Sequence, residues 1–229
     1  MDAAGRHALI LDFDGVVVES VDIKTAAFRT MFLGYPDQVD AIVAYHETHA
    51  GVSRYEKFKV IYRDFLREPC DEVRLRALGE RFLELVMKEV IRCPEVRGAQ
   101  QFLKQSAQRY GLFLASGTPE VELIEIIKQR GLAPFFQGVY GSPRPKLRII
   151  RDILDAHGWR PDQALFIGDG LTDLQAAVDV GVPFIGRVRP GAPNPFLSMR
   201  DIPIVADLEE LAQAWEGIVA SQSDAHLNP

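Results

Sequence analysis

Short apolar runs ending in small or polar residues punctuate the chain. Ala8-Leu9-Ile10-Leu11 runs into Asp12-Phe13-Asp14-Gly15, Leu112-Phe113-Leu114-Ala115 into Ser116-Gly117-Thr118, and Ala164-Leu165-Phe166-Ile167 into Gly168-Asp169-Gly170. A fourth, Val182-Pro183-Phe184-Ile185, runs into Gly186-Arg187, and a shorter one lies around Gly138-Val139-Tyr140. Runs that are apolar on both faces suit parallel strands covered by helices on each side. The patterns between them predict helices over 119–130 before Gly131, 146–157 before Gly158 and 171–180 before Gly181. This alternation predicts an α/β fold with a doubly wound, Rossmann-like parallel sheet. Ligands bind such sheets at the carboxyl ends of the strands, where Asp12, Ser116 and Asp169 all fall.

The stretch 18–92 breaks the alternation. Tyr55, Phe58, Ile61, Tyr62 and Phe65 recur at helical spacing, as do Leu75, Leu78, Phe82, Leu85 and Val86. These stripes read as the core of an inserted helical subdomain rather than a ligand site. Pro94 and Gly98 mark the return, so residues 1–17 and 93–229 are expected to form the α/β core and 18–92 an α-helical cap domain. The polar tail after Val219 is expected to fray.

With 229 residues, 47% of them hydrophobic, the chain can bury a full core. A net charge of -6 with both signs interspersed leaves no basic stripe, so nucleic acid is not an expected partner. Cys70 and Cys93 show no metal or disulfide spacing, which favours a reducing compartment. No apolar stretch approaches the roughly 20 residues of a membrane span. The first strand starts too early for a cleavable signal, and the expected location is cytoplasmic. The sequence carries no signal for an oligomeric state.

Two carboxylates, Asp12 and Asp14, leave the end of a buried strand one residue apart. One reading is a solvated Asp-x-Asp-Gly turn. The other is a bound oxygen-seeking cation such as Mg²⁺, because without one the charges repel each other and resist desolvation. At the second junction Thr118 is expected to cap the following helix and Pro119 to open it. Ser116 and the bare backbone of Gly117 are then free to meet a phosphate oxygen. Lys146 opens a helix, either as a solvated lysine or as the cation beside a reacting carboxylate. Asp169 adds a third oxygen ligand, and Asp173 suits either that set or the first turn of its helix.

In this order these residues resemble the haloacid dehalogenase superfamily of aspartate-nucleophile phosphohydrolases, in the subgroup of phosphoglycolate phosphatases and β-phosphoglucomutases. Asp12-Phe13-Asp14-Gly15-Val16-Val17 is similar to its first motif, Ser116-Gly117-Thr118 to the second, Lys146 to the third and Gly168-Asp169 through Asp173 to the fourth. Val16 stands where many members carry Thr. The resemblance implies Asp12 as nucleophile, Asp14 as general acid and base, Ser116 as phosphate ligand and Lys146 as balancing cation. It also implies Mg²⁺ held by Asp12, the Asp14 carbonyl and Asp169, with Asp173 assisting. Asp14, which the dehalogenases lack, implies a phosphatase or phosphomutase working through an aspartyl-phosphate, with hydrolysis of a small phosphorylated metabolite the expected activity.

In that family the helical insert covers the site and reads the substrate. Arg54 and Lys24 are its candidate substrate-binding cations, each otherwise a surface charge. Ser53 and Glu56 have capping-box spacing. His46 and His49 lack the further ligands of a second metal site. Gly51-Val52-Ser53-Arg54 also resembles the β-phosphoglucomutase cap loop, but Lys24 stands where those enzymes place a histidine, which favours hydrolysis over phosphomutase activity. A non-catalytic module is the third reading, and it is disfavoured by the complete charge cluster.

Overall fold

The computed structural model describes residues 7–199 and 202–225. The chain begins with β1 (Ala8–Leu11) and continues through α1 (Val21–Met31), α2 (Val39–Thr48), α3 (Arg54–Val60), α4 (Glu72–Arg92) and α5 (Ala99–Ser106). Then come β2 (Gly111–Pro119), α6 (Glu120–Gln129), β3 (Gly138–Ser142), α7 (Lys146–His157), β4 (Ala164–Gly168) and α8 (Leu171–Val180). β5 (Phe184–Arg187), β6 (Ile204–Val205) and α9 (Leu208–Ala225) complete it. The strands form one parallel sheet of order β3-β2-β1-β4-β5-β6.

Both faces of this sheet are buried, which is why its strands read as continuous apolar runs. Leu9, Leu11, Leu112, Leu114, Leu165 and Ile167 point into one layer. Ala8, Ile10, Phe113, Ala115, Ala164 and Phe166 point into the other, against Ile149 and Ile153 of α7 and Ala177 of α8. Each buried Leu, Ile or Phe in these layers contributes about 1.5–3 kcal/mol.

Between β1 and α5 the chain is helical. Phe28 of α1 centres its packing, with ring centroids 5.5 Å from Phe58, 5.2 Å from Phe82 and 4.0 Å from His46. The expected apolar stripe is therefore largely inward, with Phe58, Ile61 and Tyr62 buried and Phe65 packed at its margin. The helical segment leaves and rejoins the sheet layer at one point. Val96 N–H donates to the Val17 carbonyl at 3.0 Å and Glu19 N–H to the Pro94 carbonyl at 3.0 Å.

Several local expectations are corrected. β2 runs on through Thr118, so Thr118 is a strand residue and Pro119 takes the N-cap position of α6. Ser53 holds the N-cap position of α3 without a side-chain cap bond, and Glu56, which would complete a capping box, pairs with Lys59 at 2.7 Å. The fourth apolar run becomes strand only from Phe184, after Pro183, which lacks an N–H, and continues through Arg187. α9 continues past Val219 to Ala225, whereas the rest of the tail expected to fray, 226–229, lies outside the described residues. α5 and β6 have no counterpart among the sequence expectations.

Candidate active site

The register of the three central strands assembles the site. Leu11 lies level with Leu114 of β2 and Ile167 of β4, so Asp12, Ser116 and Asp169 leave the same edge of the sheet. Asp12 N–H extends the ladder by donating to the Ile167 carbonyl at 2.9 Å. The residue is 2% exposed, and its carboxylate accepts from Lys146 Nζ at 2.7 Å. Lys146 opens α7, which brings it to the same edge, and its ammonium also donates to the wholly buried Asp173. Asp173 in turn accepts from Gly170 N–H at 3.1 Å, closing the first turn of α8.

Carboxylate oxygens of Asp12, Asp169 and Asp173 lie within 4.8 Å of one another. Burial raises Asp12 to about 7, Asp173 and Asp14 add repulsion, and Lys146 offsets only part of it. Asp169 is also held well above the usual carboxylate range, by burial and by Asp12 and Asp173. Among the described residues Asp169 has no hydrogen-bond or ion-pair partner. An all-oxygen cluster with more negative charge than one lysine balances fits a hard divalent cation such as Mg²⁺. Lys146 is itself driven upward: burial opposes its charge, yet Asp12 and Asp173 more than compensate.

Asp14 faces the other way. Its carboxylate pairs with Lys24 and accepts from Ser20 Oγ at 2.6 Å and Thr118 Oγ1 at 2.8 Å. Burial disfavours its charge, but Lys24 and these hydroxyls outweigh burial and hold it below the ordinary value. Lys24 Nζ also reaches Thr118 Oγ1 at 2.7 Å. Ser116 is buried, 3.5 Å from Asp14 Oδ2, and its Oγ accepts from Thr118 N–H at 3.1 Å.

The loop before α3 covers this edge. The Ala50 carbonyl accepts from Thr172 Oγ1 at 2.7 Å. A Cβ on Gly117 would lie 2.3 Å from the Gly51 carbonyl, so only glycine lets the two segments meet there. Gly51 has φ +79, and a Cβ on it would lie 2.2 Å from Thr172 Oγ1 and 3.0 Å from Lys146 Nζ. Behind the loop Arg54 is buried and forks onto Glu122 of α6, with one arm at 2.7 Å. A cavity of ≈ 700 Å³ joins the carboxylates to the helical segment, lined by Asp12, Asp14 and Asp169 below and by His46, Lys57 and Phe82 above.

Asp12, Asp14, Ser116, Lys146, Asp169 and Asp173 thus converge with Gly117 and Lys24. Arg54 lines the same cavity, but its guanidinium is engaged with Glu122 rather than with these groups. Sequence reasoning missed Thr118 as an Asp14 ligand, Glu122, and the buried pair of Lys57 and His46. Arg54 and Lys57, three apart on one helix, share a face, and that spacing was the available signal.

The doubly wound sheet with carboxylates and a lysine gathered at its carboxyl edge defines the class: an α/β protein with a polar reaction centre at the strand ends. Residues 7–181 match the haloacid dehalogenase-like hydrolase family, and the chain belongs to it. It is 25% identical over 180 residues to a phosphoglycolate phosphatase of Synechococcus elongatus, spanning 77% of this chain and 81% of that one. To a phosphoglycolate phosphatase of Aliivibrio fischeri it is 29% identical over 185 residues, spanning 76% and 80%. The fold is shared with a hydrolase from Pseudomonas syringae at TM-score 0.76 and 17% identity, covering 93% of this chain and 99% of that one. No helix among the described residues is long and apolar enough to cross a membrane.

Proposed function

We propose that this hydrolase is a Mg²⁺-dependent phosphatase of small phosphomonoesters, with 2-phosphoglycolate the first substrate to test. The observation that carries the reading is Asp12, buried against Lys146 and Asp169 with Asp14 two residues further on. The names of its curated relatives support the phosphoglycolate assignment. Asp12, Asp169 and the Asp14 carbonyl would hold the metal, with Asp173 fixing Lys146 and assisting. When bound, the ion offsets the charge of nucleophile and phosphate and polarises the phosphoryl group.

In the first step an Asp12 carboxylate oxygen attacks phosphorus while the bond to the leaving oxygen breaks, and Asp14, which enters this step protonated and released from Lys24, delivers its proton to that oxygen. In the second, Asp14 takes a proton from water, whose oxygen attacks the phosphorus of the aspartyl-phosphate. Inorganic phosphate leaves and Asp12 is restored. Ser116 Oγ and the backbone at Gly117 donate to the phosphate oxygens, and Lys146 orients Asp12. Residues 18–92 act as the cap that excludes bulk water. Lys24 starts paired with Asp14, so in our reading it turns toward the substrate only when Asp14 is protonated. The unbridged Cys70 and Cys93 fit a cytoplasmic enzyme.

The test is phosphate release from a panel of phosphorylated metabolites with Mg²⁺. Preferential turnover of 2-phosphoglycolate or another small monoester supports the proposal, and no release from any member rejects it.

A further inference from the structure

Five lysines and arginines line the cavity above Asp12: Lys24, Arg54, Lys57, Arg187 and Arg189. Four are neutralised within the protein, Lys24 by Asp14, Arg54 by Glu122, Arg187 by Glu19 and Arg189 by Asp22. Among the described residues Lys57 has no carboxylate within ion-pair distance. It is 3% exposed, and its ammonium donates to His46 Nδ1 and to the His46 carbonyl, both at 3.1 Å. The Phe28 ring centroid stands 5.6 Å from Nζ.

Hydrogen bonds to an imidazole and a carbonyl do not supply a counter-charge. An ammonium buried in that state is costly, and a methionine or leucine would fill the same space beside Phe28 at no such cost. Two of its three protons are engaged, leaving one donor uncommitted. His46 is held as the neutral acceptor: burial, then Lys57 and Lys24, push it down to about 2. Burial and Lys24 draw Lys57 down to about 7, while Asp14 favours its charged form, so an anion brought against it restores the ammonium.

We propose that Lys57, positioned by His46, is the specificity-determining cation of this cavity and takes a carboxylate carried by the leaving portion of the substrate. One uncompensated positive charge matches one monoanion, whereas a second phosphate would call for an arginine fork or several donors. The proposal rests on the phosphatase reading of the same cavity and deepens it.

The test compares 2-phosphoglycolate with 2-phosphoglycolamide, which replaces the carboxylate by a neutral group of similar shape. Binding is measured by calorimetry with Mg²⁺ in the Asp12→Asn chain, where turnover does not intervene. With Lys57 present the acid is expected to bind on the order of tenfold tighter than the amide. Adding Lys57→Met or Lys57→Gln is expected to bring that ratio below about threefold. An unchanged ratio in both variants overturns the proposal. So does any failure of the Lys57 protein to prefer the acid, absence of binding included. If the ratio behaves as expected but the unmodified chain releases no phosphate from 2-phosphoglycolate, the hydrolysis reading fails and the assignment of Lys57 stands.

Discussion

Arg54 of α3 and Glu122 of α6 form a buried two-armed ion pair that ties the helical segment to the helix following Ser116. The residues are 68 positions apart in the chain, and the Arg54 side chain is the more deeply buried of the two. The same helix that carries Lys57 is thereby held over the carboxylates. This guanidinium is a structural clamp between α3 and α6.

Breaking one half of such a pair strands the other charge. Arg54→Met is therefore expected to destabilise the fold by about 3 kcal/mol. The double variant Arg54→Met with Glu122→Met should recover most of the loss. Urea unfolding of the wild type, both single variants and the double variant measures it, and additive losses in the double variant would contradict the clamp.

Asp12→Asn retains the shape of the side chain and removes the charge proposed to attack phosphorus. Phosphate release is expected to fall to background while far-UV circular dichroism stays native. Substantial turnover by this variant would rule out the aspartyl-phosphate route.

The carboxylate cluster of Asp12, Asp169 and Asp173 should make activity depend on added metal. Dialysis against EDTA is expected to abolish phosphate release and Mg²⁺ to restore it. Ca²⁺ should restore it poorly, because its larger and looser coordination shell misplaces the nucleophile. Full activity after chelation would exclude the metal-dependent site.

Gly51 tests the seat of the covering loop. Its φ of +79 and the 2.2 Å approach of a Cβ to Thr172 Oγ1 leave no room for a side chain. Gly51→Ala is expected to lower kcat/KM on the order of tenfold, corresponding to about 1.4 kcal/mol, through strain and loss of the Thr172 bond to Ala50. Wild-type kinetics in this variant would show that the loop need not close as seen.

Much of this architecture is legible in the sequence. Asp12, Ser116, Lys146 and Asp169 each sit where an apolar run ends or a helix begins, and the fold class itself dictates that such ends converge. The glycine after α7 and the one after α8 stopped both helices where the pattern put them. What stayed hidden depends on side chains meeting across the fold. Thr118 beside Pro119 reads as a helix cap, yet β2 runs on through both and the Thr118 hydroxyl donates to Asp14. Arg54 offered no sign of Glu122, and Lys57 none of His46, since local periodicity does not encode which charges are paired. The two-residue β6 was too short to show a period.

The last prediction separates hydrolysis from intramolecular phosphoryl transfer. A mutase must keep water from its aspartyl-phosphate long enough for a second hydroxyl of the sugar to accept the group, and it needs a bisphosphate to prime the cycle. Here Asp14, the proposed proton acceptor for the second step, lines the same cavity of ≈ 700 Å³ as Asp12. Lys24 pairs with that carboxylate and favours its ionised form, the form that activates water. Phosphate should therefore accumulate in proportion to substrate consumed, with no bisphosphate added and no lag. Incubation with β-glucose 1-phosphate should yield glucose and phosphate or no reaction. Bisphosphate-dependent conversion to glucose 6-phosphate, with little free phosphate, would instead assign the chain to phosphoryl transfer between sugar hydroxyls.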